Sequence, residues 1–367
     1  MAVSALDRRY MAAAIRLARW QEGRTGSNPS VATLIVREID GRPVIVGRGV
    51  TAIGGRPHAE PQALAEAGEL ARGATAYVTL EPCAHHGRTP PCAEALVSSG
   101  VARVVAAATD PDERVSGRGY AILRAAGIEV EEGVLADEAA RDLAGYLTRR
   151  VKNRAHVILK LAISNNGKIG RRDGSQVAIT GEIARSQVHA LRARSDVILV
   201  GAGTAINDDP ELTCRLPGLE DRSPVRLVLD TLLRLPAGSK LAATARDVPL
   251  WIATAAAPDD PRRAELAALG VEFIACDAHD GRIALPELLE DIAARGLSTV
   301  FVEGGAEVAQ AFLAEDLVDR IILLTGEADI EGDAVNAPVT RTTVPKAFRP
   351  VASMRYGADQ MDEYERA

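Results

Sequence analysis

Residues Glu81–Cys92 read EPCAHHGRTPPC. Two cysteines and two histidines crowd into a segment that also carries three prolines and a glycine. Proline fixes its own φ and has no N–H, so the stretch is neither a regular helix nor a central strand. Just upstream, ATAYVTL (Ala74–Leu80) is rich in β-branched and aromatic residues and reads as a strand. Just downstream, PPCAEALVSSG (Pro90–Gly100) opens on proline and stops on glycine, the punctuation of a short helix. The stretch is thus a rigid loop between a strand and a helix, with one thiol near each end. Strands alternating with helices are the mark of an α/β layered fold.

The rest of the chain spends cysteine sparingly. Only Cys214 and Cys276 join Cys83 and Cys92 among 367 residues. A secreted disulfide scaffold is shorter and denser in cysteine, so the expectation is a cytoplasmic protein with reduced thiols. The N-terminus, MAVSALDRRYMAAAIRLARWQEG, is too charged for a signal-peptide core. No apolar run approaches the roughly 18–20 residues that span a bilayer, so no membrane association is expected. The formal net charge is -7, with arginine the dominant cation, and this bulk balance argues against a nucleic-acid partner. The length exceeds what one hydrophobic core usually organises, which predicts two domains.

Reading outward, Leu6–Trp20 has apolar residues at helical spacing. VATLIV (Val31–Val36) and VIVGRGV (Val44–Val50) read as hairpin partners across an Asp40-Gly41 turn. PHAEPQALAEAG opens a helix, VARVVAAATD is a strand, GRGYAILRAAG a helix and IEVEEGV a short strand. A helical stretch from Asp137 to Arg149 leads into the basic segment TRRVKNR, where the domain boundary is placed, after residue 150. Beyond it, HVILKLAIS, SDVILVGAG, VRLVLD, PLWIAT, VEFIAC and STVFVEGG are successive strands of a second α/β series over residues 151–367.

In the first series, His58-Ala59-Glu60 lies at a helix start. One histidine and two thiolates, His58, Cys83 and Cys92, make a three-ligand set that suits Zn²⁺. A structural zinc site fills four positions, whereas a catalytic one leaves the fourth open for water, which the metal acidifies. Glu60, two residues past His58, is spaced to move protons rather than to ligate. The bland alternative is a structural Cys₂His₂ site recruiting His85 or His86, which leaves His58-Ala59-Glu60 unexplained.

The H-x-E plus P-C…C arrangement is that of zinc deaminases, whose compact form is P-C-x-x-C. Here AHHGRTPP separates the cysteines. With that loop, HAE…TLEPCAHHGRTPPC closely resembles the deaminase domain of the bifunctional riboflavin-biosynthesis deaminase/reductase family, over about Tyr10 to Arg150. The resemblance implies a cytidine-deaminase-like three-layer α/β/α domain holding one zinc. It implies that Glu60 is the catalytic acid/base, and that Asn28, His85 and His86 contact the pyrimidine substrate. The chain departs from the family at Ala32, usually Gly, and at Gln62, usually His.

The second half continues the resemblance through LKLAISNNGKIG, VGAGTAINDDPELTCR, RLVLD and VFVEGG, from about Ala155 to Asp319. It implies a dihydrofolate-reductase-like domain that uses NADPH. By position, Ala162, Ala178, Thr204, Asp208, Thr231 and the turn from Gly305 fall where the family contacts NADPH. Gln176, Arg192, Leu212, Arg215 and Glu303 fall where it contacts the ribosyl-phosphate substrate. An arginine fork suits a phosphate monoester. Departures are Asn166, where the family often has Asp, Ala178, where many members have Trp, and a tail whose similarity fades.

The implied function is a two-step enzyme of riboflavin synthesis acting on a phosphoribosyl-pyrimidine, with a homo-oligomer, a dimer, as the expected assembly. Two rivals are a nucleoside or nucleic-acid deaminase carrying an unrelated reductase-like domain, and a zinc-stabilised binding module without turnover.

Overall fold

The computed structural model describes residues 3–87, 90–112 and 115–367, so two residues of the EPCAHHGRTPPC loop lie outside it. The chain divides into two compact units, Met1–Asn153 and Arg154–Ala367.

The first unit runs α1 (Ala5–Ala18), β1 (Ala32–Ile39), β2 (Arg42–Val50), α2 (Ala59–Ala67), β3 (Thr75–Leu80), α3 (Cys92–Ser99), β4 (Arg103–Ala108), α4 (Arg118–Ala125), β5 (Glu129–Glu131), α5 (Ala136–Asp142) and α6 (Ala144–Lys152). Its sheet has the order β2-β1-β3-β4-β5, antiparallel at β2-β1-β3 and parallel thereafter. Helix α2 touches α3, and α3 touches α4, while α1 touches α5. The two groups sandwich the sheet as the outer layers of an α/β/α stack. Helix α1 starts on a capping box, Ser4 with Asp7, and buries Met11, Ala14, Ile15 and Ala18 at helical spacing.

Strand β2 carries Gly47 and Gly49 on one face, two residues apart, so both point the same way. A Cβ at either would overlap the carbonyl oxygens of Ala63 or Ala59. Helix α2 therefore lies directly on strand backbone, with no side chain between. The stretch expected as one helix from Asp137 to Arg149 is two. Leu143, at φ -90 and ψ 3, ends α5 and begins α6. The bend keeps Leu143 buried and turns Tyr146 into the core.

The second unit contains β6 (His156–Ile163), β7 (Lys168–Arg171), α7 (Glu182–Arg192), β8 (Val197–Gly201), α8 (Ala202–Asp208), β9 (Val225–Leu229), α9 (Lys240–Ala243), β10 (Leu250–Thr254), α10 (Pro261–Ala268), β11 (Glu272–Ala275), β12 (Ala278–His279), β13 (Arg282–Ile283), α11 (Leu285–Ala294), β14 (Thr299–Val302), α12 (Ala306–Ala314), β15 (Arg320–Thr325), β16 (Ala334–Asn336), β17 (Phe348–Tyr356) and β18 (Asp359–Arg366). Its main sheet has nine strands in the order β11-β10-β9-β8-β14-β6-β15-β18-β17. The strands from β11 to β15 are parallel and the terminal hairpin β17–β18 adds antiparallel to β15. The central strands read as unbroken apolar runs because both faces are covered: β8 and β10 are buried throughout. No helix among the described residues is long and apolar enough to cross a membrane.

Candidate active sites

In the first unit the two thiols are set by the elements that flank the proline-rich loop. Strand β3 delivers Cys83 through Pro82, and Pro91 sets the N-terminus of α3, whose first residue is Cys92. His58 precedes α2 in extended conformation. His58 Nδ1 lies 3.8 Å from Cys83 Sγ and 3.4 Å from Cys92 Sγ. The three ligand atoms all fall within 4.8 Å of one another, and both thiols are free. Two soft sulfurs and an imidazole nitrogen facing one point form a donor set that fits zinc. The two thiols titrate together. The hydrogen bond with Cys92 holds Cys83 down at about 4, while the same contact pushes Cys92 far up. The hydrogen bond to Cys83 also raises His58.

Glu60 sits in the first turn of α2, 4% exposed. Burial pushes its carboxyl up to about 6, and the Cys83 thiolate adds to this. A divalent cation held by the neighbouring ligands opposes both effects. Gln62, the departure at this helix, is not in the cavity. Its Nε2 donates to the carbonyls of His58 at 2.9 Å and Pro57 at 3.1 Å, tying down the backbone of the ligand.

A cavity beside these residues is lined by Asn28, His58, Glu60, Cys83 and His85, and by Arg56, Asp110, Asp112, Tyr146 and Arg150. The Asn28 side chain is seated against Gly55, where φ is +87 and a Cβ would overlap both Asn28 and the Thr25 carbonyl. His85 Nδ1 is buried and has no hydrogen-bond partner among the described residues. His86 lies outside the cavity, 3.3 Å from Glu94 on the surface. The wall formed by Asp110 and Tyr146 was not singled out in the sequence. The Tyr146 hydroxyl donates to Asp110 at 3.0 Å, and Arg150 pairs with Asp112 at 3.0 Å.

In the second unit the residues expected at the reductase site fall into three groups. Thr204, on α8, and Gly305, before α12, are adjacent: a Cβ on Gly305 would stand 3.4 Å from Thr204 Oγ1. Gln176 reaches the end of α8, its Nε2 donating to the Asp208 carbonyl at 3.3 Å. Ala178 is exposed two residues on, Ala162 lies on β6 beside β15, and Thr231 follows β9. The second group is an ion cluster. Arg192 donates through Nε to Glu303 at 2.6 Å and through Nη2 at 3.1 Å, and Lys160 Nζ stands 3.7 Å from the same carboxylate. All three side chains are largely buried, at 12%, 10% and 14% exposure. Burial works to raise the Glu303 carboxyl, but the two cations outweigh it and hold it low. Third, Leu212 is a core residue, 3% exposed with φ +56, while Arg215 is at the surface, paired with Glu211 at 2.9 Å.

Lys160 was missed in the sequence, although a lone lysine within HVILKLAI is a visible interruption of an apolar strand. The departure at Asn166 has a partner in the tail. Its Oδ1 accepts from the Ile330 N–H at 3.2 Å and its Nδ2 donates to the Ile330 carbonyl at 3.1 Å. An aspartate can only accept and cannot make both bonds.

Residues 4–108 match the cytidine and deoxycytidylate deaminase zinc-binding region, and residues 155–328 match the RibD C-terminal domain. The riboflavin biosynthesis protein RibD of Bacillus amyloliquefaciens is 41% identical over 316 residues, covering 86% of this chain and 83% of its own length. The chain belongs to the RibD family of riboflavin biosynthesis proteins. The RibD of Escherichia coli K12 is 37% identical, with 89% of each chain covered. Acinetobacter baumannii RibD superposes with a TM-score of 0.84 at 36% identity, over 98% of this chain and 99% of that one. The Thermotoga maritima diaminohydroxyphosphoribosylaminopyrimidine deaminase/5-amino-6-(5-phosphoribosylamino)uracil reductase gives a TM-score of 0.84 at 32% identity, with 98% and 99% covered. This chain therefore pairs a cytidine-deaminase-like zinc domain with a RibD reductase domain, as the sequence motifs implied. The rival readings, an unrelated second domain and a module without turnover, lose their ground.

Proposed function

We propose that this RibD family member hydrolyses the 2-amino group of 2,5-diamino-6-(5-phosphoribosylamino)pyrimidin-4-one, then reduces the ribosyl side chain with NADPH to 5-amino-6-(5-phosphoribitylamino)uracil. The observation that carries the first step is the convergence of His58, Cys83 and Cys92 at one point, with His58 and Cys83 lining the cavity that also holds Glu60. Zinc held there supplies a Lewis acid that makes hydroxide available near neutral pH. Glu60 accepts the proton from water and returns it to the departing amine, a shuttle its buried position favours. Asn28 and the unpaired His85 Nδ1 orient the pyrimidine by hydrogen bonding. His86, bound to Glu94, shapes the loop around it.

For the second step, NADPH supplies hydride and the protein supplies placement. Thr204, Asp208, Thr231, Ala162, Ala178 and the Gly305 turn form the cofactor cradle. Gln176, Leu212, Arg215 and the Arg192–Glu303 pair form the ribosyl-phosphate side. Arg215 is an exposed cation that turns toward a phosphate by giving up its pair with Glu211 and its bond to the Thr213 hydroxyl. Leu212 acts from the core, holding the loop that carries it. Family resemblance supports a cytoplasmic homodimer, which a sedimentation measurement tests.

The deciding experiment supplies purified zinc-loaded protein with the diaminopyrimidine phosphate and reads ammonia and NADPH in parallel. Ammonia release followed by NADPH oxidation is expected. Ammonia without NADPH oxidation would refute the reductase half, and the absence of both signals would refute the proposed activity.

A further inference from the structure

The segment Gln176–Gly181 has no regular secondary structure, yet it carries Gln176 and Ala178. Arg185 Nη1 donates to its Thr180 carbonyl at 3.0 Å, and contacts from more distant parts of the chain hold it at three points. At its start, Gln176 bonds the Asp208 carbonyl. At its middle, the backbone of Gly326 lies so close beneath Ile179 that a Cβ on Gly326 would overlap the Ile179 carbonyl. At its end, the Gly181 N–H donates to Asp359 Oδ2 at 2.7 Å.

Asp359 opens β18, directly after the two-residue turn at the tip of the C-terminal hairpin. It is 4% exposed. Gly181 is the residue before α7 and has no side-chain cap of its own. The Gly181 N–H is one of the donors that a helix start leaves open, and a carboxylate there is also favoured by the helix dipole. Asp359 thus caps α7 from a strand 178 residues away in sequence. Ile183 in the first turn of α7 packs against the same hairpin tip, at Gly357.

We propose that Asp359 is a positioning residue for the segment Gln176–Gly181, which brings Ala178 to the NADPH cradle, acting through the Gly181 amide. This rests on the reading of the second unit as an NADPH-dependent reductase. The terminal hairpin, whose sequence similarity to the family fades, then serves the cofactor site by bracing its least structured wall.

The test compares the full-length protein with Asp359→Ala and Asp359→Asn, following NADPH oxidation and ammonia release on the same samples. The alanine variant is expected to raise KM for NADPH about tenfold, with kcat and ammonia release much less affected. Asparagine keeps an acceptor oxygen in place and is expected to hold KM within about twofold of the unmodified protein. A purely structural role would lower the melting temperature and the active fraction in both variants without moving KM, and that pattern overturns the proposal. Amide hydrogen exchange on the unmodified protein gives an answer even if the alanine variant does not fold. Gly181 is expected to be protected in the absence of NADPH, and exchange at the rate of an open loop overturns the positioning role. If the unmodified protein oxidises no NADPH, the reductase reading fails and takes this inference with it. An unchanged KM in an active enzyme removes the inference alone.

Discussion

The backbone N–H of Cys92 donates to the sulfur of Cys83 across 3.2 Å. One ligand of the zinc set is thereby presented to the other by the first peptide group of α3. The helix N-terminus favours a thiolate at Cys83, which is the form that binds metal. Replacing Cys83 with Ser should cost most of the bound zinc and all measurable ammonia release. It should leave NADPH binding in the other unit in place. Metal content by atomic absorption, read beside NADPH-induced thermal stabilisation, checks both parts.

Glu60 separates metal binding from proton transfer. In Glu60→Gln the ligands are untouched, so zinc content should equal that of the unmodified protein. Ammonia release should fall by about 10²–10⁴ for loss of a general acid/base. A Glu60→Gln variant that deaminates at the normal rate would remove Glu60 from the mechanism.

The Arg192–Glu303–Lys160 cluster should behave as a buried charge set. Glu303→Gln leaves two buried cations without their carboxylate and should destabilise the second unit by about 3–5 kcal/mol. The double change Glu303→Gln with Arg192→Met should be less harmful than the sum of the single changes, because the variants share one interaction. Urea unfolding of the four proteins measures the coupling.

Asp319 gives the second unit an acid limit. Burial pushes its carboxyl up, but the two-pronged pair with Arg154, at 2.6 and 2.8 Å, outweighs this and holds it at about 2, against an ordinary value of 3.8. A carboxyl lowered on folding contributes stability above its unfolded pKa, and the contribution disappears as pH falls through the folded one. The contribution, about 2 kcal/mol, should be complete above about pH 5 and lost between about pH 4 and 2. Asp319→Asn should therefore melt well below the unmodified protein at pH 7, with the gap closing as the pH approaches 2.

The order of the strands as far as β14 was largely legible because it rests on local periodicity and on Gly/Pro punctuation, whereas β15 and the terminal hairpin β17–β18 were not read as strands. The zinc set was legible for a different reason: few chemistries call for two cysteines, an H-x-E and a proline-framed loop together. What was not legible lies in pairings between distant parts of the chain. Arg192 and Glu303 stand 111 residues apart; alone, Arg192 reads as a surface charge or a phosphate ligand and Glu303 as a substrate contact. The same holds for Asn166 with Ile330 and for Asp110 with Tyr146. The break at Leu143 carries no proline, and the one local hint is Gly145, two residues on. Tertiary burial, not local preference, bends the chain there.

The bare contact between β2 and α2 limits how this enzyme can change. Glu60 and His58 ride on a helix seated backbone to backbone against Gly47 and Gly49. In most cores, swapping a side chain for a larger or smaller neighbour shifts a helix by fractions of an ångström, and selection can use those shifts to retune a site. Here no side chain lies in the gap to be swapped, and any addition meets peptide oxygen. The reacting wall of the cavity is in effect a fixed datum. New substrate preferences would have to be written on other residues of the lining, such as Asn28, Asp110, Tyr146 and Arg150, whose side chains can be exchanged one at a time.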